Sequence, residues 1–168
     1  MTILADVLTS QDRLNEALQY EEECRAISID VLGPNHPDTI VSIANLAETH
    51  QRLGLLDSAC SIGESALKTA ETVLGIHHST TLTIKSNLAS MYRDGGKYNE
   101  AQKLGKEALD AQKRLFGTGH KSTIITMIRL ASVCEKLDMS EEANDLWVQA
   151  VKEIKKGGPD LARQLRLD

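Results

Sequence analysis

Three kinds of residue in this chain could do chemistry. The first is the segment Gly117-Thr-Gly-His-Lys-Ser-Thr123. It approaches a phosphate-binding loop, in which glycines open backbone N–H groups to the anion and a lysine reaches its outer oxygens. The match fails at the decisive place, because His120 rather than glycine precedes Lys121 and no strand leads into the segment. The second is the set His36, His78 and His120, with His77 alongside. Imidazoles can ligate metals, but ligands must stand about 2 Å from one ion. One histidine per helix pair spaces them by roughly 10 Å, so the set is expected to order turns. The third is Cys24, Cys60 and Cys134. Cys24 shares a column with small residues and reads as a packed small hydrophobe. His50 and Cys134 fall in one column but two repeats apart, which argues against a nucleophile–base pair. No serine, histidine and acid meet at a glycine-rich elbow, so no enzymatic site is expected.

The elements that carry these residues follow from a self-comparison at an offset of 42. Ala17, Ala59, Ala101 and Ala143 fall in one column. Cys24, Ala66, Ala108 and Ala150 fall in a second, and Gly33, Gly75 and Gly117 in a third. The three histidines follow three residues after those glycines, and Thr39, Thr81 and Thr123 three later again. Leu46-Ala47, Leu88-Ala89 and Leu130-Ala131 complete the pattern.

Each period reads as two helices. Ile40, Ile43, Leu46, Ala47 and Leu53 form one apolar stripe at helical spacing. Pro37 suits the first turn, and Gly54 suits a left-handed stop. Asp57, with Asn15 and Asn99 in its column, is expected to cap the second helix, and Ser140 or Glu141 to serve in the last repeat. That second helix is expected over about 58–74. The alanine columns let antiparallel helices approach closely. Each pair has apolar surface on two sides, so pairs must stack into a superhelix with a concave face.

The 168 residues amount to about one domain. Net charge is −5 and aromatics are 3%, which disfavours nucleic acid and anionic lipid as partners. No run of about 18 apolar residues would cross a membrane, and Met1–Asp6 lacks a signal peptide's pattern. Free thiols without an export signal imply the cytosol. Glu21, Glu22 and Glu23 read as a solvated helix face.

Leu46-Ala47, Gly54, Ala59 and Ala66 resemble the tetratricopeptide repeat. The period of 42 and the junction from Leu32 to Thr39 (Leu-Gly-x-x-His-Pro-Asp-Thr) resemble its kinesin-light-chain type, over roughly residues 1–156. That type also forms the C-terminal arrays of fungal and bacterial NLR-like NTPases. Two departures stand out. His50 and Cys134 occupy a column where the family has tyrosine, as at Tyr92. Gly63 and Gly105 replace a large residue that Trp147 supplies.

The resemblance implies an all-α, right-handed α-α superhelix of about eight helices. Its expected divisions are a partial repeat over 1–35, repeats over 36–77, 78–119 and 120–156, and a capping helix or tail over 157–168. The expected function is protein–protein interaction, within a fragment of a larger protein, without catalysis and without cofactor or metal. The alternatives are the sensor end of an NLR-like NTPase and a kinesin-light-chain-like cargo adaptor. Self-association through open solenoid ends is a further possibility for an array.

The first helix of each pair should line the groove. Its columns read Asn45, Asn87 and Arg129; Glu48, Ser90 and Ser132; and Arg52, Asp94 and Lys136. Asparagine offers a donor and an acceptor to an extended peptide, and arginine a fork to a carboxylate. The adjacent columns hold Val41, Thr83 and Ile125, and Ala44, Ser86 and Ile128. They lack the lysines with which the family clamps a C-terminal carboxylate.

Overall fold

The computed structural model describes residues 13–165. Seven helices occupy them, with no strand: α1 Leu14–Leu32, α2 Pro37–Arg52, α3 Leu56–Val73, α4 Ser79–Asp94, α5 Tyr98–Phe116, α6 Lys121–Lys136 and α7 Ser140–Leu165. The half-helix expected over 2–11 lies outside the described residues.

The helix starts explain the histidine column. His36, His78 and His120 are the N-caps of α2, α4 and α6, each in extended backbone. Their Nδ1 atoms accept the backbone N–H of Asp38, Thr80 and Ser122, each at 3.2 Å. A ring nitrogen thus does the work usually done by a serine or aspartate oxygen. Pro37 opens α2 where its missing N–H is of no consequence.

The turns within each pair are equally regular. The N–H groups of Leu55, Lys97 and Met139 reach back to the carbonyls of His50, Tyr92 and Cys134 at 2.9, 2.8 and 2.9 Å. This is the six-to-one bond of a Schellman motif, which requires a left-handed residue at its centre. Gly54 (φ 76°), Gly96 (φ 75°) and Asp138 (φ 57°) supply it.

That turn corrects the expected caps. Leu55 and Lys97, already tied back by the Schellman bond, become the N-caps of α3 and α5, and Arg13 that of α1. None makes a side-chain cap bond, and the helices start before Asp57, Asn15 and Asn99. Asp57 instead sits in the first turn, where its charge favours the positive end of the helix dipole. In the last repeat Ser140 is the first residue of α7, with Glu141 and Glu142 in its opening turn.

Packing is sequential. Within repeats α2 meets α3, α4 meets α5 and α6 meets α7; between repeats α1 meets α2, α3 meets α4 and α5 meets α6. Ala47, Ala59 and Ala66, with their counterparts in later repeats, are buried at these contacts. Threonines staple successive repeats: Thr39 Oγ1 donates to the Ser28 carbonyl at 3.2 Å and Thr81 Oγ1 to that of Ala70 at 3.4 Å.

Gly63 and Gly105 mark close approaches between successive repeats. A Cβ on Gly63 would lie 3.1 Å from both Leu88 Cδ1 and Met91 Sδ, and one on Gly105 3.1 Å from Leu130 Cδ1. The next repeat's first helix therefore seats directly on the glycine. Glu21 belongs to the same column and is buried, whereas Glu22 and Glu23 are exposed. The acidic run is thus only partly a solvated face, because Glu21 is buried. Cys24 is half-buried rather than buried; its column packs within its own repeat, and the half-helix expected there lies outside the described residues.

At the C-terminal end, Trp147 stands in the glycine column and its Nε1 donates to Glu135 Oε1 at 2.8 Å. The chain kinks at Gly158 (φ 66°) and remains helical to Leu165, with Leu161 against the core of the last repeat.

Two substitutions test this account. Asp138→Gly relieves the left-handed strain and is expected to raise stability by about 0.5–1 kcal/mol in urea unfolding. Gly105→Val is expected to lower stability by about 1–3 kcal/mol, since overpacking against Leu130 outweighs the gain in helix propensity.

Candidate functional site

The first helices also touch one another, α2 against α4 and α4 against α6, whereas α3, α5 and α7 make no contact of that extent. Stacked pairs that meet along one edge and splay along the other curve toward the meeting edge. The inner face therefore belongs to α2, α4 and α6.

Side chains tie this face together across repeats. Arg129 Nη1 donates to Asn87 Oδ1 at 2.5 Å and to Ser86 Oγ at 3.2 Å. Ser86 and Thr126, both buried, share a hydrogen bond of 2.8 Å. Gln51 Nε2 donates to Ser90 Oγ at 3.1 Å and to Asp94 Oδ2 at 2.6 Å. Asp94 Oδ1 pairs with Arg93 Nη2 at 2.7 Å. The bonds run from α2 to α4 and from α4 to α6, forming a polar ladder along the groove.

Burial lowers the Arg129 pKa from its ordinary value. Glu48 and Asp94 counter that effect and Arg93 adds to it. An arginine starts so far above neutrality that it keeps its charge. Its bonded partners are neutral, and both bonds leave from one nitrogen of a five-donor fork.

The nine residues singled out from sequence distribute as follows. Asn87, Arg129, Ser90 and Asp94 belong to the ladder. Glu48 contributes charge near Arg129. Asn45 and Ser132 are half-buried on α2 and α6, while Arg52 and Lys136 are exposed in the last turns of those helices. Gln51 and Arg93 are ladder members that the sequence columns did not single out. The signal was present: Gln51, Arg93 and Glu135 form a column polar in every repeat, three residues after Glu48, Ser90 and Ser132.

The other reactive residues are held structurally. The Gly117–Thr123 segment is an inter-repeat junction: Gly117 ends α5 at φ 83°, and the Ser122 N–H is taken by His120. Phe116 stacks on the His120 ring at 4.6 Å. The cysteines are free thiols, and burial pushes all three thiol pKa values up, away from the thiolate that a nucleophile needs.

A paired-helix array with this inner face is a solenoid of protein-interaction repeats. The Tetratricopeptide repeat family profile matches residues 1–72, 40–114 and 80–152, and the chain belongs to that family. KINESIN LIGHT CHAIN-RELATED 2 of Arabidopsis thaliana is 41% identical over 58 residues, which make up 34% of this chain and 9% of that protein. The chain thus spans about a tenth of that relative's length.

Among solved structures, the nearly identical TPR-like repeats of a Podosopora anserina protein described as a kinesin light chain superpose with TM-score 0.71. The identity is 24%, over 93% of this chain and 74% of that one. BtubC (BKLC) from P. vanneervenii superposes with TM-score 0.79 at 22% identity, over 92% of this chain and 61% of that one. The period and these likenesses define a kinesin-light-chain-type array. Among the described residues no helix is long and apolar enough to cross a membrane.

Asn87→Leu removes the acceptor of a half-buried guanidinium bond. It is expected to lower stability by about 1–3 kcal/mol, measured by urea unfolding.

Proposed function

We propose that the inner face of α2, α4 and α6 binds an extended segment of a protein partner. The observation that carries this is the ladder itself. It presents amide, guanidinium and carboxylate groups in register along a face that no other described helix packs across. Repeats spaced by one helix pair match the advance of an extended chain over a few residues.

In this reading Asn45 and Asn87 bond the peptide backbone, and the open edge of Arg129 takes a carboxylate. Glu48, Ser90 and Ser132, with Arg52, Asp94 and Lys136, set the side-chain preference. The chain acts as a scaffold rather than a catalyst, and the free cysteines suit the reducing cytosol. Its net charge of −5 disfavours nucleic acid and gives no drive toward self-association, which would reside in the solenoid ends.

The test is selection of peptides from a random display library on the immobilised chain, followed by calorimetric titration of the selected peptides. Replacing Asn45, Asn87 and Arg129 together by alanine is expected to weaken binding by about tenfold or more while circular dichroism stays helical. Undiminished binding by the folded triple variant would place recognition on another face.

A further inference from the structure

On the side away from the groove, α3 and α5 form the walls of an open cleft of about 390 Å³. Leu67, Leu88 and Leu104 give it apolar surface, and Tyr92 of α4 reaches into it. The repeat permits an internal comparison, because α5 and α7 form the equivalent cleft one period later.

That second cleft is sutured by the chain itself. Lys106 of α5 pairs with Glu142 of α7 at 2.8 Å, and Lys113 Nζ donates to Gln149 Oε1 at 3.3 Å. The same columns in the first cleft hold Glu64 and Glu71 on α3, and Glu100 and Glu107 on α5. Each suture is thus replaced by carboxylates on both walls, and like charges do not draw the walls together.

One of the two facing pairs has an ammonium of its own. Lys85 of α4, with a side chain only 12% exposed, bridges Glu71 at 3.1 Å and Glu107 at 3.3 Å. Its column is apolar in the neighbouring repeats, at Ile43 and Met127. Glu64 and Glu100 have no such bridge. Among the described residues no lysine or arginine forms an ion pair with either, although Lys68 and Lys103 stand on the rim. Glu64 Oε1 accepts the Tyr92 hydroxyl at 2.8 Å. The Tyr92 pKa is raised, first by burial, then by the Glu64 hydrogen bond and charge, with Glu100 adding to the rise. The phenol is thus bonded to Glu64 and feels the charge of Glu100, while Lys97 Nζ stands 5.5 Å from its ring centroid.

We propose that this cleft receives a lysine or arginine side chain from a basic segment of a partner protein. The charged end lies between Glu64 and Glu100, and the aliphatic stem lies on the cleft leucines. The chain shows the chemistry twice, in Lys85 between Glu71 and Glu107 and in Lys106 on Glu142. A long basic side chain carries both the charge and the apolar stem that such a cleft accommodates. The site is independent of the inner groove.

The test is a two-dimensional NMR titration of the labelled chain with N-acetyl-leucyl-arginine amide, using N-acetyl-leucyl-glutamine amide as the uncharged control. Saturable shifts are expected at Glu64, Lys68, Glu100 and Lys103, with none at Glu142 or Gln149. Glu64→Lys copies the Lys106–Glu142 suture into the first cleft and is expected to weaken binding by about tenfold or more. Glu100→Gln, a milder change at an exposed position, is expected to weaken it severalfold and serves if the first variant misfolds. Arg129→Ala should leave this binding unchanged, which separates the cleft from the groove. Equal shifts with the glutamine control, shifts confined to α2, α4 and α6, or full binding by a folded Glu64→Lys or Glu100→Gln chain would each overturn the proposal.

Discussion

At Gly63 and Gly105 the following repeat's first helix lies so close that one added carbon would stand 3.1 Å from a leucine methyl. The rest of the array hangs on this approach between successive helix pairs. A single pair has apolar surface on both sides and buries it only by stacking. Close seating of Leu88 and Leu130 on the glycines buries these leucines and brings the first helices together. Because the first helices touch and the second helices splay, the stack acquires an inner and an outer face. Both proposed recognition surfaces are consequences of that asymmetry. On the tight side, side chains of adjacent repeats reach one another and form the ladder. On the splayed side, a cleft is left between α3 and α5.

The repeat supplies the geometry and the departures from it supply the chemistry. The residues that recur (the capping histidines, the left-handed glycines, the buried threonines) settle turns and spacing. Arg129 stands where the two preceding repeats carry asparagine, and it spans back to Asn87. Lys85 stands where its neighbours are apolar, and it sits between two carboxylates. Lys106 and Glu142 pair directly across one outer cleft, while the same columns in the previous repeat set the carboxylates Glu64 and Glu100 on its two walls. A period thus acts as an internal control, since any column that breaks it changes function against a constant backbone.

Much of the fold was legible in the residues, for local reasons. A histidine three residues past a glycine, followed by proline or small polar residues, marks a helix start that depends on a few adjacent dihedrals. The alanine columns mark the faces that must meet. The caps assigned to Asp57 and Asn99 were misplaced because the Schellman turn commits the residue after its glycine to the N-cap position. That commitment is made by a backbone bond across six residues rather than by side-chain type. Glu21 was misread because a charge run gives no hint of which member is buried.

The sequence by itself determined the period, the helix pairs, the left-handed stops and the columns from which the groove is built. These follow from short-range sterics and from a side-chain periodicity that any observer can count. Only the tertiary structure decided which polar residues join. Gln51 reaches Ser90 and Asp94, and Arg129 reaches Asn87 and Ser86, across separations of 39 to 43 residues. It also decided that two clefts of equal register differ, one tied by direct wall-to-wall pairs and one only through Lys85. Such outcomes depend on the distance between helices in space, and that distance is set by how successive helix pairs pack rather than by the residues next in the chain.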